Sequence, residues 1–130
     1  MWFDLAHGKD KVNFMFNNEL PLNGSEFENF LFYDLSKIRI CFNTRHIPKK
    51  TPDKWRSIEF NGLSITLTLI GVSKLNLQGE RVGFVCSPAI ERIGNEIIFS
   101  IDNGDEFHLS CVAEAIVIDS IEPYLDQRWK

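Results

Sequence analysis

The 130-residue sequence predicts a mainly β (α+β) domain, a single antiparallel β-sheet or sandwich with one or two short helices. Three observations carry that expectation. Leu63, Ile65, Leu67 and Leu69 alternate with Ser64, Thr66 and Thr68, the period-two pattern of a strand with one dry face and one wet face. Gly94-Asn95 and Asn103-Gly104 separate short apolar runs, and Asn-Gly favours hairpins because both residues accept positive φ. Six to eight strand-like runs follow at short intervals, with few apolar residues at helical spacing. The length suits one domain over residues 1–130, and a hydrophobic content of 44% is enough for a core.

In chain order, Trp2, Phe3 and Leu5 are aromatic and apolar enough to be tied onto that core. Asp10 to Asn17 fits a short helix with Val12, Met15 and Phe16 inward, stopped before Pro21, and Leu20 to Ser25 reads as a loop. Glu26 to Leu35 and Ile38 to Phe42 form a first hairpin about a turn at Asp34 to Lys37. In the basic connection Thr44 to Ser57, Thr51 is placed as an N-cap with Pro52 at the first helical position, and Trp55 sits buried in that turn. The stretch Leu63 to Gly79 is expected to be a central strand, a bend at Gly71, and a second strand carrying Leu75 and Leu77. Arg81 to Cys86 and Ala89 to Ile93 are shorter strands. Glu96 to Asp102 and Asp105 to Val112 pair about Asn103-Gly104. In Ala115 to Ile121, Val117 and Ile121 lie on one side and Ile116 and Ile118 on the other, so this strand is expected to be central or covered on both faces, with Pro123 ending its ladder.

Charge is uneven. The net value of −4 comprises −4 over residues 1–35, +6 over 36–58, zero over 59–90 and −6 over 91–130. The acidic balance argues against nucleic acid as a partner, because phosphate binding needs a basic footprint. No apolar run reaches the length of a membrane-spanning helix, and the N-terminus lacks the layout of a secretory signal, so a cytoplasmic location is expected. Cys41, Cys86 and Cys111 each lie in a strand-like run and read as free thiols in a reducing compartment.

Catalytic and metal signatures are missing. His7, His46 and His108 are isolated, His108 and Cys111 point to opposite faces of one strand, and no metal or other cofactor is expected. The sequence has no phosphate-binding glycine loop, nucleophile elbow or Cys-x-x-Cys. Acidic residues gather instead. If three consecutive strands run up, down and up, then Asp102, Asp105, Glu106, Glu122 and Asp126 share one end of the domain with Tyr124 and Trp129. Such a patch suits a protein partner, with charge for steering and aromatics for anchoring. A small enzyme using Glu114 and Asp119 is the first alternative, and a small-ligand or carbohydrate-binding β module the second.

Trp2, Pro48 and Pro52 before Trp55, the stretch LSITLTLIGVSKLNLQG, and the ending AEAIVIDSIEPY together resemble the Immunity protein 50 family of bacterial polymorphic-toxin systems. The resemblance implies a small cytoplasmic protein without catalytic activity that protects its producer by binding a cognate toxin domain. A protector kept in the cytoplasm should face a toxin acting there: a nuclease, a deaminase or an ADP-ribosyltransferase.

Overall fold

The computed structural model describes residues 2–8, 10, 12, 21–34, 36–49, 51–79, 84–103 and 107–129. Among them nine strands run in chain order: β1 (Ser25–Asp34), β2 (Lys37–Thr44), β3 (Gly62–Ile70), β4 (Lys74–Gly79), β5 (Phe84–Cys86), β6 (Ala89–Ile93), β7 (Glu96–Asn103), β8 (Phe107–Ala113) and β9 (Ala115–Tyr124). Single 3₁₀ turns stand at Trp2–Leu5, Asp53–Trp55 and Gln127–Trp129. The strands form two antiparallel sheets, ordered β5-β1-β2-β3-β9 and β4-β8-β7-β6. The mainly β expectation holds.

Alternation explains the core. The inward rows are Ile38, Ile40 and Phe42 on β2, Leu63, Ile65, Leu67 and Leu69 on β3, and Ile116, Ile118 and Ile121 on β9. They meet Ile97, Phe99 and Ile101 on β7 and Leu109 and Cys111 on β8, all buried. Each fully buried side chain of this kind stabilises by about 1.5–3 kcal/mol, and two facing sheets some 10 Å apart leave room for one interdigitated layer. Phe3 is buried at 1% exposure, and His7 exchanges backbone hydrogen bonds with β9 through Ile116 and Ile118 (2.8 and 2.9 Å), so Phe3 is docked onto the core as expected.

The chain changes sheet four times, between β3 and β4, β4 and β5, β5 and β6, and β8 and β9. Gly71 to Ser73 leads from β3 to β4, and Glu114 alone leads from β8 to β9. The β3–β4 and β8–β9 crossings lock at the same end: Glu114 N–H donates to Ile70 O (2.9 Å) and Ser73 N–H to Val112 O (2.9 Å). Gly71 sits at φ +68°, which favours glycine, and a Cβ there would come within 2.7 Å of the Glu114 side chain and displace it.

Several expectations are corrected. β9 is an edge strand: only β3 pairs with it along its length, and His7 makes a single bridge on its other side. Pro123 therefore does not end the ladder. It lies opposite Leu63 within β9, where an edge strand tolerates the missing N–H. β4 is also an edge, exposed at all six residues. At Thr51 no side-chain cap forms: Pro52 itself occupies the N-cap of a single 3₁₀ turn, while Trp55 is buried at 3% as expected. Cys41, Cys86 and Cys111 are free, and burial pushes the thiols of Cys86 and Cys111 up to about 11 and about 12. The helix expected at Asp10 to Asn17 and the start of the strand at Arg81 fall largely outside the described residues.

Candidate functional site

Strand directions place the ends of β1, β3, β7 and β9 in space. Gly62 pairs with Tyr124, Ser64 with Glu122 and with Asn43, and Asn43 with Glu26, so these residues share one end of the five-stranded sheet. Asn103 and Phe107, paired across β7 and β8, belong to the same end of the sandwich, because Phe107 packs 5.3 Å from Phe27 and 5.2 Å from Phe84. The sequence's placement of Asp102 and Glu122 at one end is thus right, but they project from opposite faces. Asp102 follows inward Ile101 on one sheet, Glu122 follows inward Ile121 on the other, and both are exposed on the outside. The reason is the sheet switch at Glu114. Asp105 and Glu106 lie outside the described residues.

The C-terminal tail folds back over the outer face at this end. Asn61 clamps it in both directions: its amide nitrogen donates to Asp126 O, and Asp126 N–H donates to Asn61 Oδ1, each at 2.9 Å. Asp126 Oδ1 then accepts from Arg128 N–H at 2.8 Å, capping the last 3₁₀ turn. The Arg128 guanidinium reaches Asp126 Oδ2 at 2.5 Å and Glu26 Oε1 at 2.8 Å, joining the tail to β1. Trp129 lies against Gly62, where an added Cβ would stand 2.6 Å from the indole and 2.6 Å from Thr44 O. Arg45 and Arg128 hold their guanidiniums 4.8 and 5.9 Å from the Trp129 ring centroid, and Tyr124 meets it edge-on at 5.9 Å.

This geometry divides the sequence-selected residues. Glu122 offers an exposed carboxylate, and Tyr124 and Trp129 are half-buried aromatics held side by side. Asp126 is only 5% exposed and its carboxylate is taken up by Arg128, so it fixes the tail and presents no charge of its own. Glu26, Asn43, Arg45, Asn61 and Arg128 were not selected from sequence. Asp126 two residues before Arg128 is the one local clue to this cluster, since Asp readily caps a following turn. Between the tail, the start of β1 and β5 lies a recess of about 590 Å³, with Asn43, Gly24, Glu26, Val85, Arg128 and Trp129 among its walls.

The hydrogen bonds from the Arg128 side chain hold the Asp126 carboxyl down to about 2. Asp126 and then Glu26 push the guanidinium up. An unfolded Asp titrates near 3.9, so this lowered group stabilises the docked tail fully above that pH, and the contribution is lost as pH falls through about 2. Arg128→Ala removes the side-chain donors. The Trp129 indole resonance, followed by NMR in an acid titration, should report undocking below about pH 3 in the parent and near or above pH 4 in the variant. Identical midpoints would show that the tail is held without this pair.

A second recess of about 350 Å³ lies on the same outer face toward the other end, lined by Asp34, Lys37, Arg39, Thr68, Ile70 and Asp119. It brings two carboxylates together, which an acid/base mechanism would need. Asp34, however, accepts from Ser36 N–H and Oγ at 2.7 and 2.8 Å, which lowers its pKa, the opposite of what a proton-donating carboxyl requires. Asp119 accepts from the Thr68 hydroxyl and lies 3.7 Å from Arg39 Nε. Glu114, the other carboxylate weighed from sequence, stands away on the crossing beside Gly71. Among the described residues no group of three or more His, Cys, Asp or Glu could hold a metal, and no helix is long and apolar enough to cross a membrane.

The family model described as Immunity protein 50 matches residues 8–124. No curated protein and no solved structure matches the chain at a significant level.

Proposed function

The chain belongs to the Immunity protein 50 family, and from that membership we propose that it protects its producing cell by binding a cognate toxin domain in the cytoplasm. The family match over residues 8–124 is the observation that carries this reading. The toxin classes that fit a cytoplasmic protector are nucleases, deaminases and ADP-ribosyltransferases, with neither nucleic acid nor membrane as the direct partner. Neutralisation is by occupation: the protein holds the toxin and transforms nothing.

The docking surface in this proposal is the tail-covered end of the five-stranded sheet. Glu122 steers, Tyr124 and Trp129 anchor, and Asp126 acts indirectly by fixing Arg128 and the turn that carries Trp129. Rigid aromatics held by their neighbours lose little entropy on binding, which favours them as anchors. Asp102, and Asp105 and Glu106 beside it in sequence, extend the patch only for a partner large enough to reach round the end of the sandwich.

Association kinetics with the cognate toxin domain provide the test. Glu122→Lys should slow association several-fold at low ionic strength and less near 0.15 M salt, because charge steering is screened over about 8 Å there. Asp102→Lys, on the other outer face, should have the smaller effect. Equal association rates for the parent and Glu122→Lys at low salt would remove this face from the proposal.

A further inference from the structure

We propose that β4 is a docking edge for a second copy of this chain, the two β4 strands pairing antiparallel about a two-fold axis at Asn76. β4 pairs with β8 on one side, and among the described residues no strand lies on its other side. A free edge presents unpaired backbone N–H and C=O groups, and proteins usually blunt it with charge, proline, a bulge, shortness or a cover. The other edges of this sandwich carry such devices. β9 holds Pro123 and is bridged by His7, and β5 is three residues long. The half of β1 that β5 leaves uncovered is broken by register shifts between Phe27 and Asn29 and between Phe32 and Asp34. β6 has Glu91 at its midpoint, and the first 3₁₀ turn packs beside it. β4 has six residues in unbroken register, no proline, a single charge at its first position, and every residue exposed.

The residues of β4 choose the occupant. Leu75 and Leu77 face inward, opposite Cys111 and Leu109, yet at the rim they stay 44% and 38% exposed. Lys74, Asn76 and Gln78 form the outward row, opposite Val112, Ser110 and His108. Directly opposed residues of an antiparallel pair share a face, so self-pairing must set leucine beside leucine. With the axis at Asn76, Leu75 stands opposite the partner's Leu77 twice over, and the two apolar rims cover one another. Lys74 then stands opposite the partner's Gln78, and Asn76 opposite the partner's Asn76, so no like charges meet. Moving the axis to Leu75 or to Leu77 would instead set the other leucine against Ser73 or Gly79. The same operation on β6, centred on its midpoint, would oppose Glu91 to a second Glu91, which is unfavourable. Pairing uses the edge of the four-stranded sheet and leaves open the tail-covered outer face of the five-stranded one. A strand of six residues is about 20 Å long, less contact than a standard interface, so the dimer is expected to be weak, with a dissociation constant on the order of 10–100 µM.

Sedimentation equilibrium of the full chain, carried to about 1 mM, measures the dimer, and charge on the outward row reports its register. Gln78→Glu sets a carboxylate opposite the partner's Lys74 and should tighten the dimer about threefold or more. Gln78→Lys opposes two ammonium groups and should weaken it by a similar factor. Lys74→Glu combined with Gln78→Lys should return the affinity to the parent's value or better. Both side chains are exposed, and a thermal melt of each variant checks that the fold persists. A parent chain that stays monomeric to about 1 mM overturns the proposal. So does a dimer that fails to respond to the two Gln78 variants in opposite directions, since it then forms elsewhere or in another register. Backbone amide exchange gives an independent reading: β4 amides should gain protection as the chain is concentrated through the dimer range. Protection of β4 that appears only when the cognate toxin domain is added would assign this edge to the toxin and overturn the second-copy proposal.

Discussion

Phe27→Ala is expected to lower the unfolding free energy by about 3–5 kcal/mol, the largest loss from any single truncation in the chain. Phe27 is fully buried and is the only described aromatic that touches rings from four strands. Its centroid lies 6.0 Å from Phe30 on β1, 5.7 Å from Phe42 on β2, 5.6 Å from Phe84 on β5 and 5.3 Å from Phe107 on β8. Because β8 belongs to the second sheet, the ring joins the two layers as well as adjacent strands. Truncation of a ring packed on four sides brings both the transfer loss and a cavity term. A domain of this size has a total stability of about 5–15 kcal/mol, so the alanine variant can fall near the folding threshold. Phe27→Leu should then retain a measurable transition with roughly half the loss. Phe32→Ala, at a ring already 42% exposed, should cost clearly less than Phe27→Ala. Equal urea midpoints for the Phe27 and Phe32 alanine variants would show that the aromatic cluster is not the main tie between the sheets.

Trp129→Ala should weaken toxin binding by about 2 kcal/mol or more, roughly 30-fold, with little effect on unfolding. The indole is half-buried, flanked by two guanidiniums and braced edge-on by Tyr124, so its orientation is fixed before a partner arrives. Truncation removes the anchor and also releases Arg45 from the ring, leaving a longer, more mobile cation where a rigid plate stood. The clamp between Asn61 and Asp126 does not involve the indole and should keep the tail in place. Calorimetric titration measures the affinity, and a parallel melt shows that the fold persists. Trp129→Phe should recover part of the lost affinity, since a ring still covers Gly62. Unchanged affinity in Trp129→Ala would place the toxin elsewhere on the sandwich.

Much of the fold was legible because a strand's inward row is written at every second residue. Ile38, Ile40 and Phe42, the leucines of β3, and Phe107, Leu109 and Cys111 all face the core that their alternation implies. Alternation is silent on who pairs with whom. Ile116 and Ile118 read as the sign of a central strand, yet β9 is an edge whose inward row is dry and whose outward row is partly covered. Leu75 and Leu77 likewise face the right way, opposite Cys111 and Leu109, but at the rim of the sandwich they stay 44% and 38% exposed.

The site was legible to the extent that hairpin order fixes ends. It brought Glu122, Tyr124, Asp126 and Trp129 to the end that also carries Asp102. A one-residue link at Glu114 looks like any tight hairpin in sequence, and nothing in its neighbours discloses that it changes sheets, so the opposite facing of Asp102 and Glu122 was hidden. The contact between Arg128 and Glu26 spans 102 positions and has no local signature. Asn43 carries no signal at all, because it lies on the outward row of β2, where alternation predicts exposure, yet it is buried.

Under the proposed function this chain acts through its outer contour, holding its partner without altering it. The decisive experiment titrates a fixed amount of the cognate toxin domain with the purified chain and assays the toxin's own activity. Inhibition should be complete at one chain per toxin, and toxin recovered from the complex should regain full activity. Inactivation by a small fraction of an equivalent, with the toxin left covalently changed, would contradict it.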